Sequence, residues 1–149
     1  MLLNLLTGLP VMLLCLLLQA IFLSASLRYY ARFRLAQQGR DSSWTNVLLL
    51  STVMLMMLMG NFAQMIIWAG LFVLLGEFGD FPTALYHSGV NFVTLGYGDI
   101  VMSLRWRLLG PLEAANGILM FGVSTSVMTA AVMDIIKHNT AALKRIERP

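Results

Sequence analysis

Charged residues are scarce in this chain of 149 residues. They make up 11% of the sequence, whereas 58% of the residues are hydrophobic. A soluble domain carries roughly 25% charged residues. The composition therefore excludes an ordinary water-soluble domain and predicts a chain that is surrounded by lipid. Cysteine is scarcer still: Cys15 stands alone, which excludes an internal disulfide and a metal site built from cysteines.

The scarcity of charge leaves three long apolar runs. No charged side chain occurs in 1–27 or in 42–76, and Glu113 is the only one in 108–133. Each run exceeds the ~20 residues that a helix needs to cross a hydrocarbon core of about 30 Å. The sequence therefore predicts an all-α membrane protein with three transmembrane helices and no separate soluble domain.

The first run has a second interpretation, as a cleaved signal peptide. The small residues at 24–26 are typical of a cleavage site, but the run has no basic start and is longer than a signal core of about 7–15 residues. We therefore expect a retained N-terminal transmembrane helix at 1–27.

The basic residues are distributed unevenly along the chain. Most of them follow the first run or the last one: Arg28, Arg32, Arg34, Arg40, Lys137, Lys144, Arg145 and Arg148. The positive-inside rule then places the N-terminus outside, and a basic loop at 28–46 and a tail at 138–149 in the cytoplasm. The net charge of +3 thus fits a multi-pass protein of the plasma membrane, as in a bacterial inner membrane, in contact with lipid headgroups and not with nucleic acid.

A short helix is predicted between the second and third spans. Asp80 or Phe81 ends the preceding loop, and Pro82 suits a first helical turn. A helix over 82–92 is about 16 Å long, half of a bilayer, and glycines follow it. This pattern predicts a re-entrant loop, and irregular backbone at that depth is tolerated where it is buried in protein or lines a watery path.

The segment Thr94-Leu95-Gly96-Tyr97-Gly98-Asp99 resembles the selectivity filter of potassium channels, whose pattern is T-x-G-Y/F-G-D. Residues 47–137 resemble the two-helix pore module of these channels, with an outer helix at 47–76, a pore helix at 82–92, the filter at 94–99 and an inner helix at 108–136. The helix at 1–27 and the loop at 28–46 lie outside the resemblance. Four such segments are needed to surround an ion, so the resemblance implies a homotetramer that conducts monovalent cations, and K⁺ above all, without a cofactor.

The resemblance also implies roles for the filter residues. Backbone carbonyls replace the water around a permeant K⁺ ion, and the glycines permit the alternating dihedrals that this requires. The expected K⁺ ligands are Thr94, Leu95, Gly96 and Tyr97, with Gly98 completing the ion-binding segment. Tyr97 is expected to brace the filter against the pore helix, and Asp99 to lie at the outer mouth.

The inner helix carries two further predictions. Gly117 and Gly122 match the family's hinge segment, with Gly117 favoured, although close helix packing explains both glycines equally well. The expected cavity-lining residues follow helical spacing: Ile118, Phe121, Thr125 and Thr129.

Glu113 is an ionisable residue inside a span, and such residues are usually paired and functional. We consider two interpretations. In the first, Glu113 and Asn116 hydrogen-bond to the pore helix or the filter backbone and support the filter. In the second, Glu113 lies near the outer interface and pairs with Arg105 or Arg107.

Two departures from the family pattern and several alternatives stay open. Leu95 stands where valine or isoleucine is common, and Val90 replaces a pore-helix glutamate of some bacterial relatives, so a weakly selective cation channel is the first alternative. A non-conducting pore-like subunit is the second. An enzyme is not expected: a metal site of Glu77, Asp80 and His87 competes with roles in capping and packing. His87 and His138 are candidate pH sensors.

Overall fold

The described part of the chain contains four α-helices. A computed structural model describes residues 1–36 and 43–146, and within that part the side chains of residues 43, 138, 139 and 141–146 are not described. The helices are α1 (Leu2–Ala36), α2 (Ser43–Leu74), α3 (Phe81–Phe92) and α4 (Leu109–Ile146). Three of them, α1, α2 and α4, are long and apolar enough to cross a membrane, as the sequence predicts.

Two predicted helix ends are wrong. We expected the first helix to stop at residue 27, but α1 continues to Ala36 through the arginines of the predicted loop. We also expected a tail from residue 138, but α4 continues to Ile146. Charge marks where a helix leaves lipid, whereas Ala, Leu, Lys and Arg sustain a helix in water as well. Arg40 and Arg148 lie outside the described residues, and so do the side chains of His138, Lys144 and Arg145.

The turn between α2 and α3 is fixed by local hydrogen bonds. Gly76 has a φ of +73°, and its N–H donates to the carbonyl of Val73 at 3.0 Å, while Glu77 N–H donates to Phe72 at 3.0 Å. This is the Schellman ending of a helix, in which glycine is favoured because its φ is positive. It turns the chain sharply back toward the bundle.

The helices pack around α2 and α4. Helix α2 contacts α1, α3 and α4, and α4 contacts α1, α2 and α3. The main apolar core includes Trp68, Phe72, Phe92 and Leu109, and Cys15 is fully buried within it. The short helix α3 is thus held between α2 and α4, which fixes the position of the segment that follows it.

The buried face of α1 is unusual for an apolar helix. Its buried residues are all small or polar: Asn4, Gly8, Cys15, Gln19 and Ser26. Its leucines are largely exposed. Small and polar residues at helix interfaces with apolar residues outside are typical of helices in lipid, so this face supports α1 as an integral part of the bundle.

Candidate functional site

Helix α3 begins as the sequence predicts. Asp80 is its N-cap and accepts a hydrogen bond from Thr83 N–H at 2.8 Å, and Pro82 lies in its first turn. The bond from the Thr83 backbone lowers the pKa of Asp80. Because α3 ends at Phe92, the chain leaves the helix immediately before Thr94.

The backbone of the TLGYGD segment (residues 94–99) alternates in conformation. Positive φ occurs at Thr94 (61°), Gly96 (57°) and Gly98 (73°), and at neither Leu95 nor Tyr97. Glycine adopts positive φ without steric cost, whereas for a β-branched residue such as threonine it is an outlier. Thr94 is therefore held in this conformation by its surroundings.

Hydrogen bonds to the end of α3 hold the beginning of the segment. Thr94 N–H donates to the carbonyl of Asn91 at 2.9 Å, and Leu95 N–H donates to the carbonyl of Val90 at 2.9 Å. The N–H of Gly96 also approaches Val90, at 3.4 Å. Three consecutive amides thus bond to the last turn of α3, which fixes the direction in which the chain leaves the helix.

Two neighbouring residues of α3 hold the other end of the segment. The Tyr86 hydroxyl donates to Asp99 Oδ2 at 2.6 Å. This bond lowers the pKa of Asp99 and raises the pKa of Tyr86. Asp99 therefore stays ionised, and Tyr86 stays protonated, over a wider pH range than either would without the bond.

His87 makes the second tie at this end. Its Nδ1 lies 3.0 Å from the carbonyl of Ile100, and its Nε2 lies 2.8 Å from Asn91 Nδ2. With the side-chain amide of Asn91 donating to Nε2, Nδ1–H donates to Ile100, so both ring nitrogens are satisfied in a neutral imidazole. Burial lowers the pKa of His87, in keeping with that state.

The side chain of Tyr97 is 67% exposed in the single chain, and within residues 43–137 no hydrogen bond joins it to the pore helix. Its role in bracing the filter therefore stays a prediction. Within this chain, Tyr86 and His87 are the α3 residues that bond to Asp99 and Ile100. No motif in the sequence predicts either bond.

Glu113 contacts α3, as in the first of the two interpretations. It is fully buried, and its Oε1 is hydrogen-bonded to the Ser88 hydroxyl. The same hydroxyl lies 2.9 Å from the carbonyl of Met65 in α2. Because a hydroxyl has one proton, both bonds form together when the Glu113 carboxyl is protonated and donates to Ser88. Three helices meet at this point.

Asn116 differs in its contact from the prediction, whereas Gly117 shows the close packing that was one of its two interpretations. Asn116 bonds to Gln64 of α2 at 3.3 Å and not to the pore helix. Gly117 packs so closely on α3 that an added Cβ would overlap the carbonyl oxygen of Phe92. Close packing therefore accounts for Gly117. A Cβ added at Gly122 would meet no atom of another element within 4 Å in the single chain.

The remaining predicted residues share one exposed face of α4. The face comprises Ile118, Phe121, Gly122, Thr125 and Thr129. The ring of Phe121 lies 5.8 Å from that of Phe92 at the end of α3. This face therefore begins beside the end of α3, where the TLGYGD segment starts, and continues along α4 toward its C-terminal end.

The three residues weighed as metal ligands have other partners. Glu77 accepts hydrogen bonds from Ser103, at 2.6 Å to its N–H and 2.7 Å to its hydroxyl, and Asp80 caps α3. No group of three or more His, Cys, Asp or Glu is brought together within the described part of the chain.

The chain combines a half-length helix, a glycine-containing segment that is hydrogen-bonded to that helix, and a span on either side. Together these features define a pore-type membrane protein. Residues 11–134 match the family described as "Ion channel". The chain therefore belongs to this family, which contains the two-helix potassium-channel pore module. The match begins inside α1, well before residue 47, where we expected the resemblance to start. No curated protein and no solved structure matches the chain in the same comparisons.

Proposed function

We propose that the chain forms a homotetrameric channel that conducts K⁺ passively, with the carbonyls of Thr94, Leu95, Gly96 and Tyr97 as ion ligands. The alternation of φ at 94, 96 and 98 is the observation that carries the proposal. Such alternation turns successive peptide groups in the manner that a ring of inward carbonyls needs, and K⁺ is bound by rings of this kind.

Exposure within the single chain supports a tetramer. Leu95 is 55% exposed and Tyr97 67% exposed, although both follow a helix that is packed on two sides. Large apolar side chains at the centre of a membrane protein need a protein neighbour or lipid. Four copies around one axis give these side chains neighbours and bring four TLGYGD segments together around an ion.

The other predicted residues acquire roles in this arrangement. Asp99, held by Tyr86, lies at the outer mouth and attracts cations. Glu113 supports the filter through Ser88 of the pore helix. The exposed face of α4 lines the cavity below, and α4 bends at Gly117 when the pore opens. The N-terminus is outside and the C-terminus is cytoplasmic.

A weakly selective cation channel is the second candidate. Val90, in α3, is apolar, so no carboxylate of the pore helix supports the filter from behind. The bond of Glu113 to Ser88 reaches α3 one turn from its end and does not replace such a contact at Asp99. A loosened filter admits Na⁺ as well as K⁺.

The proposal is tested by ion flux in liposomes that contain the purified protein, whose tetrameric mass is first verified. We expect K⁺ flux that barium blocks and that Na⁺ does not replace. Gly96→Ala, with a strained positive φ, is expected to abolish the flux, whereas the matched variant Gly122→Ala keeps K⁺ selectivity. Equal K⁺ and Na⁺ flux would favour the second candidate, and a tetramer that stays silent after opening substitutions near Gly117 would indicate a non-conducting subunit.

A further inference from the structure

Helix α1 is joined to the pore module by polar bonds in its apolar interior. Gln19 is 2% exposed. Its Oε1 accepts a hydrogen bond from Gln64 Nε2 of α2 at 2.8 Å, and its Nε2 donates to the Ser124 hydroxyl of α4 at 3.3 Å. One side chain of α1 thus contacts both long helices of the pore module.

The packing around Gln19 leaves it little freedom. A Cβ added to Gly60 of α2 would lie 3.1 Å from Gln19 Oε1, so the glycine is what permits this close approach. The Ser124 hydroxyl also lies 2.9 Å from the carbonyl of Met120, within its own helix. A glutamine that serves only to anchor a helix in lipid needs none of these contacts.

A second tie joins α1 to α4 farther along both helices. The Tyr30 hydroxyl donates to Asp134 Oδ2 at 2.6 Å, and the Arg34 guanidinium lies 3.3 Å from the same carboxylate oxygen. Val127, between the two ties, belongs to an apolar cluster with Val53 and Met57 of α2, and Phe22 and Leu23 of α1 pack against that cluster. The lower half of α4 is therefore bound to α1 at two levels, with apolar contact between them.

The upper half of α4 contacts α3, and it also contacts the beginning of α1, where a Cβ added to Gly8 would lie 2.8 Å from Leu112 Cδ1. Glu113 bonds to α3, and Gly117 packs on the last residue of α3. The lower half, from Ser124 to Asp134, contacts α1 through these two ties and α2 through Asn61, whose Nδ2 lies 3.5 Å from the Ser124 hydroxyl. Gly117 lies between the two halves and α1 contacts both of them, so bending at Gly117 moves the lower half away from α1.

We propose that Gln19 is a positioning residue through which α1 holds the lower half of the inner helix in its straight form. Opening of the pore then requires the Gln19–Ser124 bond to break. This inference rests on the proposed channel function, and it assigns to the first helix a part in the opening of the pore.

The first test is single-channel recording of Gln19→Leu, with Leu17→Ile on the lipid-exposed face of α1 as the matched control. Each polar bond between helices in lipid contributes modestly, so we expect the open fraction to rise about three- to tenfold in Gln19→Leu. Unit conductance and the K⁺:Na⁺ ratio stay unchanged, which separates positioning from damage to the filter.

Ser124→Ala produces a smaller rise, and adding it to Gln19→Leu produces no further rise. An unchanged or lower open fraction in Gln19→Leu overturns the inference while leaving the channel function intact.

The second test does not depend on conduction. Spin labels at Leu27→Cys of α1 and Val132→Cys of α4, both exposed positions, are placed in a Cys15→Ala background and diluted with unlabelled protein. We expect the α1–α4 distance distribution to broaden and lengthen in Gln19→Leu and not in Leu17→Ile. An unchanged distribution overturns the inference even if the wild-type protein proves silent. Ser124→Ala supplies the same comparison if Gln19→Leu does not fold.

Discussion

Two regions of the molecule differ in how far they are buried within one chain. One is the contact region of α1, α2 and α4, and the other is the TLGYGD segment. In the first region, Gln19, Gln64 and Asn116 bond to one another across three helices and are buried. In the second, residues 93–99 are all exposed, although hydrogen bonds hold both ends. The first region is buried within one chain, whereas the second stays exposed in one chain and is covered by neighbouring copies in the tetramer that we propose.

This contrast assigns different consequences to substitutions. A change in the first region alters the stability or position of helices within one chain. If the proposed channel function holds, a change in the hydrogen bonds that hold the second region is expected to alter ion selectivity or assembly. The predictions below test whether the two regions separate in this way.

The largest effect is expected for Gly117→Ala, at the contact of α4 with α3. An added Cβ overlaps the Phe92 carbonyl, and overpacking of this kind costs about 1–3 kcal/mol. We expect a lower midpoint of thermal unfolding in detergent and loss of flux. Gly122→Ala, which meets nothing within 4 Å, leaves the midpoint unchanged or raises it, because alanine favours a helix by about 1 kcal/mol. Equal midpoints for the two variants would show that Gly117 does not pack as described.

An intermediate effect is expected at the junction of Glu113, Ser88 and Met65. Glu113→Leu removes the bond to Ser88, at a cost of about 1–2 kcal/mol. Glu113→Gln keeps a donor to the Ser88 hydroxyl, so we expect its unfolding midpoint to stay close to that of the wild type. Both midpoints are measured by thermal unfolding in detergent, with K⁺ flux recorded alongside. A loss in Glu113→Gln as large as that in Glu113→Leu would show that the bond to Ser88 does not stabilise the fold.

The smallest effect is expected for Tyr86→Phe, because the bond to Asp99 is exposed to solvent. We expect a fall of about two- to threefold in the K⁺:Na⁺ flux ratio at neutral pH. The hydrogen bond lowers the pKa of Asp99, so its contribution is complete above the ordinary aspartate pKa of about 3.9. It is lost as the pH falls through the lowered value.

The same bond raises the pKa of Tyr86, so the tie persists on the alkaline side to above the ordinary tyrosine value of about 10. Between these two pH limits, K⁺ flux is therefore expected not to change through the ionisation of Tyr86 or Asp99. In Tyr86→Phe the acidic limit moves upward toward the ordinary aspartate value. An acidic limit that is the same in both proteins would remove Tyr86 from the tether.

Much of the architecture is predictable from the sequence because lipid imposes simple rules. The apolar runs predict the spans, and Pro82 and the glycines predict the half-length helix and the segment after it. Gly60, Asn61 and Gln64 share one face of α2 by their spacing, and this face contacts α1 and α4. The extension of α1 and α4 beyond the lipid was not predictable from charge, which locates the membrane surface and not the helix end.

The individual partners were harder to predict than the faces. Glu113 and Asn116 lie on one face of α4, yet Glu113 bonds to α3 and Asn116 bonds to α2. Spacing along one helix shows which residues point the same way, but not where the boundary between two neighbouring helices falls. The role of α1 was hidden for a related reason, since its few small and polar residues are dispersed among many leucines.

The position of Cys15 has a practical consequence. This thiol is the only one in the chain and has no exposed surface where α1 meets its neighbours. A thiol reagent in solution reaches it when that contact opens, and opening of this local kind sets the rate of labelling. The rate at which Cys15 is labelled therefore reports how often the first helix separates from its neighbours, and no cysteine has to be introduced for the measurement.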